Sequence, residues 1–452
     1  MLAAIELTMT DRLVAGVIIA ITGLLMLAVL ARVPLMYNVR NLAVRFWTTL
    51  LTALAFTLVV ALLTVMLAFV NGMYRLTENS GHPENIVILG QGTQDEVFST
   101  LGFGDADELE TLKGLLRDEQ GRPAVSKATY VIVNQPVPHP RPNSPKRRFL
   151  QVRGVEVPEI SGLVHRVKLN GAWFSPAGVQ PHPSGDPEKV TLVQAVIGEG
   201  LARTLGGDRS PEELAVAKNK TQLEVGDEFV LGARSCIVVG VMQSRGQTFD
   251  SEVWAKRELV GKTFGKDAYS TLVLRATDAA TAKKLEHYLK NDYGKGSLQP
   301  MLETTYFNSL NGTNKQFLVA IIAVAIVMAV GGVFGVMNTM FAAISQRTKD
   351  IGVMRLIGFG RVQILCSFLL ESLVIALLGG GLGCLIGSVA DGWSANSNMG
   401  SGQGGGKSVV LELVVDWKII AQGMLFSLVM GAVGGFIPAV SAMRLKLLDT
   451  LR

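Results

Sequence analysis

Apolar residues gather into five runs, at 13–33, 48–70, 317–341, 364–389 and 419–440, and a long stretch of ordinary polarity, 74–314, separates the second run from the third. Each run holds about 20 residues or more, enough at about 1.5 Å per helical residue to cross a hydrocarbon layer of about 30 Å. The pattern predicts an α-helical membrane protein with about five transmembrane helices and one large extracytoplasmic domain. Within 74–314 the period changes. Short alternating or β-branched runs at 85–89, 128–133, 229–231, 235–241 and 271–275 read as strands, whereas 106–116, 198–205 and 279–289 carry apolar residues at helical spacing. That mixture is an α+β domain, large enough to bury its own core. The proline-rich stretch 134–146 and the Pro-, Gly- and Ser-rich stretch 176–187 read as surface loops or joints.

Charge orients these elements. Arg32, Arg40 and Arg45 border the link between the first two runs, against a lone Arg12 before the first. Arg347, Lys349, Arg355 and Arg361 separate the third and fourth runs, and Arg444, Lys446 and Arg452 follow the last. Lys and Arg in short flanks mark the cytoplasmic side. The amino terminus and the 74–314 domain are then outside and the carboxyl terminus inside. A cleaved signal peptide is the competing reading of 13–33, opposed by Glu6 and Asp11 in the leader and by the lack of a small-x-small cleavage site. The organisation that results is 1–36 as an additional span, 37–73 as a core span with a basic cytoplasmic approach, 74–314 outside, and 315–452 as three spans with a cytoplasmic segment at 345–361.

Composition agrees with a membrane protein: 49% of the 452 residues are hydrophobic and 17% charged. The formal net charge of +5 follows from topology, and the basic residues lack the aromatic interleaving that binds single-stranded nucleic acid, so no nucleic-acid partner is expected. Cys236 lies in the polar region and Cys366 and Cys384 in one apolar run, so no disulfide within a shared soluble domain is expected.

Chemistry-bearing motifs are sparse. The string from Ser401 to Ser408 (Ser-Gly-Gln-Gly-Gly-Gly-Lys-Ser) approaches a phosphate loop, but Ser401 occupies the first glycine position and the apolar stretch 409–415 follows where a helix is required. It reads as a flexible linker, and the chain alone is not expected to hydrolyse ATP. His82, His139, His165, His182 and His287 show no metal-ligand spacing, no nucleophile elbow occurs, and neither a metal nor a catalytic residue is expected.

Two features inside the apolar runs stand out. Glu371 lies roughly nine residues into its run, where a charge costs roughly 2.5–3.5 kcal/mol, so it must face a helix interface, take up a proton or meet a partner. A proton pathway is one reading; with no second carboxylate or histidine in the spans, a structural or gating role is the other. Glycines at four-residue spacing, Gly331/Gly335, Gly379/Gly383/Gly387 and Gly431/Gly435, predict close helix packing within the bundle, with a dimer seam as a further reading.

The segment 345–361 is a compact basic element held at the membrane surface between two spans, a place suited to receive a push from a soluble partner. On a helix, Arg347, Ile351 and Arg355 are successive turns of one stripe, and Asp350 and Met354 of another. Ile351 and Met354 are expected to dock in a partner's cleft, with Arg347 and Asp350 fixing register at the polar rim, and Lys349 and Arg355 belong to the same coupling segment. A solvated loop that only enforces topology is the alternative.

The ordered combination of Asn338-Thr-Met, the segment 345–355 (Ser-Gln-Arg-Thr-Lys-Asp-Ile-Gly-Val-Met-Arg), Gly358-Phe-Gly-Arg361, Phe368-Leu-Leu-Glu371, Leu378-Gly-Gly-Gly-Leu-Gly383 and a closing Pro438-Ala resembles the FtsX-like permease domain of ABC transporters, particularly the MacB group. Gly171-Ala-Trp-Phe-Ser175, the stretch 195–203, Leu223-Glu-Val-Gly-Asp227 and the stretch 236–242 are similar to that group's periplasmic core domain. The resemblance implies a permease subunit of the inner (cytoplasmic) membrane, working as a homodimer or related heterodimer with a separate ABC ATPase subunit that holds the ATP and Mg. It also implies a possible periplasmic adaptor and mechanotransmission that drives export or extraction of an envelope substrate. A regulator of a cell-wall hydrolase and a membrane-anchored scaffold are the alternatives. The run at 13–33 departs from the four-span family core.

Overall fold

The structure, a computed structural model, describes residue 22 and residues 46–140, 146–182, 191–243, 247–293, 297–310, 312–399 and 407–445. The apolar run at 13–33 with Arg32, Arg40 and Arg45, and residues 401–406 of the glycine string, lie outside the described residues. The chain divides into two compact units: Gly72–Gln316 with Ser394–Glu412, and Met1–Asn71 with Phe317–Trp393 and Leu413–Arg452.

After α1 (Phe46–Ser80), the first of these units runs through β1 (Asn85–Gly90), α2 (Phe103–Leu109), β2 (Val125–Pro136), β3 (Arg147–Val155), α3 (Pro158–His165), β4 (Lys168–Gly171), β5 (Val179–Pro181), β6 (Thr191–Gly198), α4 (Glu199–Gly206), α5 (Pro211–Val216), β7 (Glu228–Leu231) and β8 (Arg234–Gln243). A 3-10 turn (Thr248–Ser251), β9 (Glu252–Lys256), α6 (Arg257–Phe264), β10 (Thr271–Arg275), α7 (Ala279–Asn291), β11 (Leu298–Leu302) and α8 (Glu303–Leu310) complete it. Its strands form one mixed sheet in the order β11-β1-β10-β2-β3-β9-β6-β8-β4, with β5 on β6 and β7 on β8. β10 lies between β1 and β2 with all five residues buried, which is why 271–275 reads as a continuous apolar run. α7 is capped by Asp278, whose carboxylate accepts from the amides of Ala280 and Thr281, and it buries Ala282, Leu285 and Leu289 along one stripe.

Two large cores form on this sheet, and a smaller cluster of Val155, Val196, Phe249 and Trp254 packs beside them. Ile86, Leu109, Leu272, Leu274 and Leu285 anchor one, under β1, β10, α2 and α7. Leu150, Ile197, Leu201, Val238 and Val253 anchor the other, under β3, β6, β8, β9 and α4. β3 pairs with β9 in parallel, from Gln151 with Glu252 to Val155 with Lys256, within the stretch of sheet that covers the second core. One expected helix is shorter than its pattern. Residues 106–116 keep helical apolar spacing, yet the helix stops at Leu109, because Gly114 takes φ 91° and the amide of Leu116 donates to the carbonyl of Arg275. Tertiary pairing overrides local propensity there.

Among the described residues, four helices are long and apolar enough to span a membrane: Thr49–Arg75 within α1, Gln316–Gln346 within α9 (Gly312–Gln346), α11 (Arg361–Ser388), and α12 (Trp417–Arg444). A short helix, α10 (Thr348–Leu356), separates α9 from α11, and the antiparallel hairpin of β12 (Ser394–Met399) and β13 (Lys407–Glu412) separates α11 from α12. Lys407 thus begins a hairpin strand. Trp47, Trp393 and Trp417, exposed near span ends, occupy positions typical of the membrane interface. The fold is therefore four described membrane helices plus a large α/β extracytoplasmic domain.

Candidate coupling elbow and its buried ion pair

The charged segment between the third and fourth apolar runs folds as an elbow. α9 ends at Gln346, Arg347 leaves the helical conformation at φ −110° and ψ 19°, and α10 starts at Thr348. After Leu356 a turn with Gly358 at φ 108°, a conformation that favours glycine, returns the chain to α11. Gly360 precedes that helix, its amide donating to Gln363 Oε1 at 2.7 Å.

α10 has two faces. Lys349, Asp350, Val353, Leu356 and Ile357 share the exposed one, at helical spacing, and Val353, Leu356 and Ile357 are 48%, 60% and 73% exposed. The opposite face holds Ile351, which is fully buried among Ile344, Ile364 and Phe368, with Met354 half-buried against the same core. Ile351 and Met354 therefore do not lie on the outward face of this segment; Val353, Leu356 and Ile357 do. The reason is competition for the interior, which Ile351 wins because the stripe it shares with Arg347 and Arg355 faces the bundle.

Arg347 also differs from expectation. It does not sit at a polar rim but is buried, and its guanidinium meets Glu371 fork to fork, Nη1 to Oε2 and Nη2 to Oε1, each at 3.1 Å. Glu371 is buried too. The isolated intramembrane acid of the sequence thus has an arginine partner from the elbow. Two charges removed from water are costly, and taking away one partner of such a pair costs about 3–5 kcal/mol. Arg355 Nη1 donates to the carbonyl of Leu445, just past α12. Lys349 and Arg361 remain exposed.

Glycines on α11 set how closely the other spans approach. A Cβ on Gly379 would meet Ala53 O and Phe56 Cβ of α1 at 2.6 Å, one on Gly383 would meet Thr57 O at 2.8 Å, and one on Gly387 would meet Thr64 Cβ at 2.6 Å. On α12, a Cβ at Gly431 would fall 2.5 Å from Ala376 Cβ. Gly331 and Gly335 of α9 behave differently. Nothing lies within 4 Å of their Cβ positions, and they line an apolar cavity of about 420 Å³ with Leu51, Phe56, Met328 and Met430.

In the extracytoplasmic unit, the seam between β3 and β9 carries charges that sequence reasoning missed. Arg153 donates Nε and Nη2 to Glu252 at 2.7 and 2.9 Å, and Nη1 and Nη2 to Glu96 at 2.8 and 3.0 Å, with all three side chains buried. Burial alone would lower the pKa of Arg153, but Glu252 and Glu96 hold it well above the ordinary value. Trp254 Nε1 adds a bond to Glu252 at 2.8 Å. Parity gave no signal, because Arg153 shares the strand face of Gln151, opposite Leu150 and Val152, which alternation reads as solvent-facing. Asp250 is a second missed group. Burial pushes its carboxyl up to about 6, although the amide of Gly200 donates to it at 2.9 Å. Nearby, Arg203 Nη1 lies 3.2 Å from Glu412 of β13.

Residues 49–292 match the model of the MacB-like periplasmic core domain, and residues 322–447 match that of the FtsX-like permease C-terminal domain. Similar curated proteins include a macrolide export ATP-binding/permease protein MacB of Burkholderia thailandensis, 26% identical over 320 residues (67% of this chain and 42% of the relative). One of Vibrio parahaemolyticus is 23% identical over 406 residues (81% and 55%). The chain spans about half the length of the curated relatives it matches. Among solved structures, the extracellular domain of the noncanonic ABC-type transporter YknZ from Gram-positive bacteria aligns at TM-score 0.30 and 16% identity, covering 48% of this chain and 99% of that one. The periplasmic region of MacB from Actinobacillus actinomycetemcomitans aligns at TM-score 0.30 and 14% identity, covering 52% and 95%.

Proposed function

Because the chain belongs to the MacB-like periplasmic core domain family and carries an FtsX-like permease C-terminal domain, we propose that it is a permease subunit that couples ATP hydrolysis in a separate ATPase subunit to movement of its extracytoplasmic domain. Two permease copies and two ATPase subunits form the working assembly in the inner membrane. ATP and Mg are held by the ATPase, and this chain supplies no catalytic residue. The work performed is export or extraction of an envelope substrate, a reading supported by the macrolide-export name of the curated relatives. A periplasmic adaptor is a further partner on this reading.

The observation that carries the proposal is the exposed face of α10. Val353, Leu356 and Ile357 form an apolar patch with Lys349 and Arg361 beside it, on an element anchored from behind by Ile351, Arg347 and Arg355. An outward apolar patch with a charged rim suits a cleft on a soluble subunit. The test is Leu356→Asp with Ile357→Asp in the full chain, co-expressed with an ABC ATPase subunit that co-purifies with the parent chain. Carboxylates facing an apolar cleft are penalised by several kcal/mol, so the ATPase should be lost on purification while membrane insertion is unchanged. Normal stoichiometry and normal stimulated turnover in this variant would falsify the assignment.

A further inference from the structure

We propose that the Arg347–Glu371 ion pair is the tie through which displacement of the elbow moves α11. The role rests on the coupling function proposed above. α10 hangs between two joints: Arg347, the single residue out of helical conformation between α9 and α10, and the Gly358 turn between α10 and α11. Backbone continuity through such joints does not oblige α11 to follow a push on α10, because rotation at either joint can absorb it.

Side chains remove that freedom. Glu371 lies ten residues beyond Arg361, about 15 Å along α11 at the helical rise. The pair therefore acts well away from the turn. α10 is held to α11 at both ends, by the Gly358 turn at one and by Arg347 at the other, and two separated attachments resist rotation where one cannot. The Ile351 contacts between them are apolar and non-directional, whereas the fork of Arg347 against both oxygens of Glu371 fixes distance and orientation together. α11 is also the right recipient. Gly379, Gly383 and Gly387 bring it against α1, and Ala376 packs on Gly431 of α12, so movement of α11 carries both neighbours. Arg347 and Glu371 are positioning residues on this account, and touch neither nucleotide nor substrate.

The test uses the full chain in lipid nanodiscs, with Cys236, Cys366 and Cys384 replaced and nitroxides at Lys349→Cys on α10 and Leu385→Cys on α11. Pulsed electron resonance should give one narrow distance distribution for the parent, a broadened one for Arg347→Lys and Glu371→Gln, and recovery of the narrow one in the exchange Arg347→Glu with Glu371→Arg. The lysine variant keeps the charge and loses only the fork, which guards against simple misfolding. In complex with the ATPase, both single variants should keep ATP hydrolysis while losing the ATP-driven shift of a label pair in the extracytoplasmic domain, and the exchange should restore it. Unchanged widths in both single variants, or a full ATP-driven shift without the pair, would overturn the proposal. A parent chain that binds no ATPase refutes the coupling function itself, and that result is read from the parent alone.

Discussion

Arg153→Met should be among the most damaging single substitutions in the extracytoplasmic unit. One guanidinium there satisfies two carboxylates, making four hydrogen bonds of 2.7 to 3.0 Å with Glu252 and Glu96 across the β3–β9 seam. Methionine fills similar volume, but leaves both carboxylates buried without their cation. Removing one partner of a buried pair costs about 3–5 kcal/mol. At about 2–4 °C per kcal/mol for a domain of this size, the unfolding midpoint should fall by about 6–20 °C. Glu96→Gln should cost less, about 1.5–3 kcal/mol, because it keeps an acceptor oxygen and relieves an excess negative charge. The apolar triple Arg153→Met, Glu96→Leu and Glu252→Leu should recover much of the loss, short of the bond from Trp254. Thermal unfolding of the full chain in nanodiscs gives the midpoint, and hydrogen exchange of peptides covering β3 and β9 localises the effect. Arg153→Met costing no more than Glu96→Gln would refute the claim that one arginine compensates both acids.

Asp250 predicts a pH dependence of the less common sign. Its folded pKa of about 6 exceeds the ordinary carboxyl value of 3.8, so the folded chain holds a proton that the unfolded chain releases, and stability falls by about 3 kcal/mol as pH rises from about 4 to 6. Asp250→Asn should flatten that window of the curve and raise stability at neutral pH; identical pH profiles for variant and parent would count against it. Gly383→Ala should cost about 1–3 kcal/mol by forcing α11 away from Thr57 O, whereas Gly335→Ala, with nothing within 4 Å, should be neutral or gain up to about 1 kcal/mol of helix propensity. Equal effects of the two in thermal unfolding would sink that distinction. The purified chain alone should hydrolyse ATP no faster than background, and Lys407→Ala should change nothing; turnover lost on that substitution would reverse the linker reading.

Run length made the spans legible, because about 20 apolar residues leave a chain few alternatives. Strands such as 271–275 were legible for a related reason, their composition matching a fully buried position. The elbow could be located by its charges, yet its orientation could not be read. Ile351 and the Val353/Leu356/Ile357 patch are all apolar, and helical period alone does not say which stripe turns inward. The deciding partner is Glu371, 24 residues from Arg347 in sequence. The seam cluster was less accessible still, since Glu96 and Glu252 lie 57 and 99 residues from Arg153. Local pattern carries period and burial; the pairing of distant charges exists only once the sheet register and helix packing are set.

The spans differ in how much of themselves they bury, and that difference bears on how force would pass through the unit. The apolar window of α11 is 61% buried and that of α12 50%, against 11% for α9. A helix so little packed against its own chain has few side chains through which to push. Although α9 joins the elbow covalently, its neighbours would feel a displacement mostly through α11, which meets α1 along three glycines and α12 through Ala376. The ion pair at Arg347 stands where the elbow leaves the weakly packed helix, and its acid sits on the strongly packed one. A buried pair is poor evidence of added stability, because desolvation offsets much of the attraction. Its directionality is what an apolar contact lacks, and directionality is what a joint between a loosely and a tightly held helix requires.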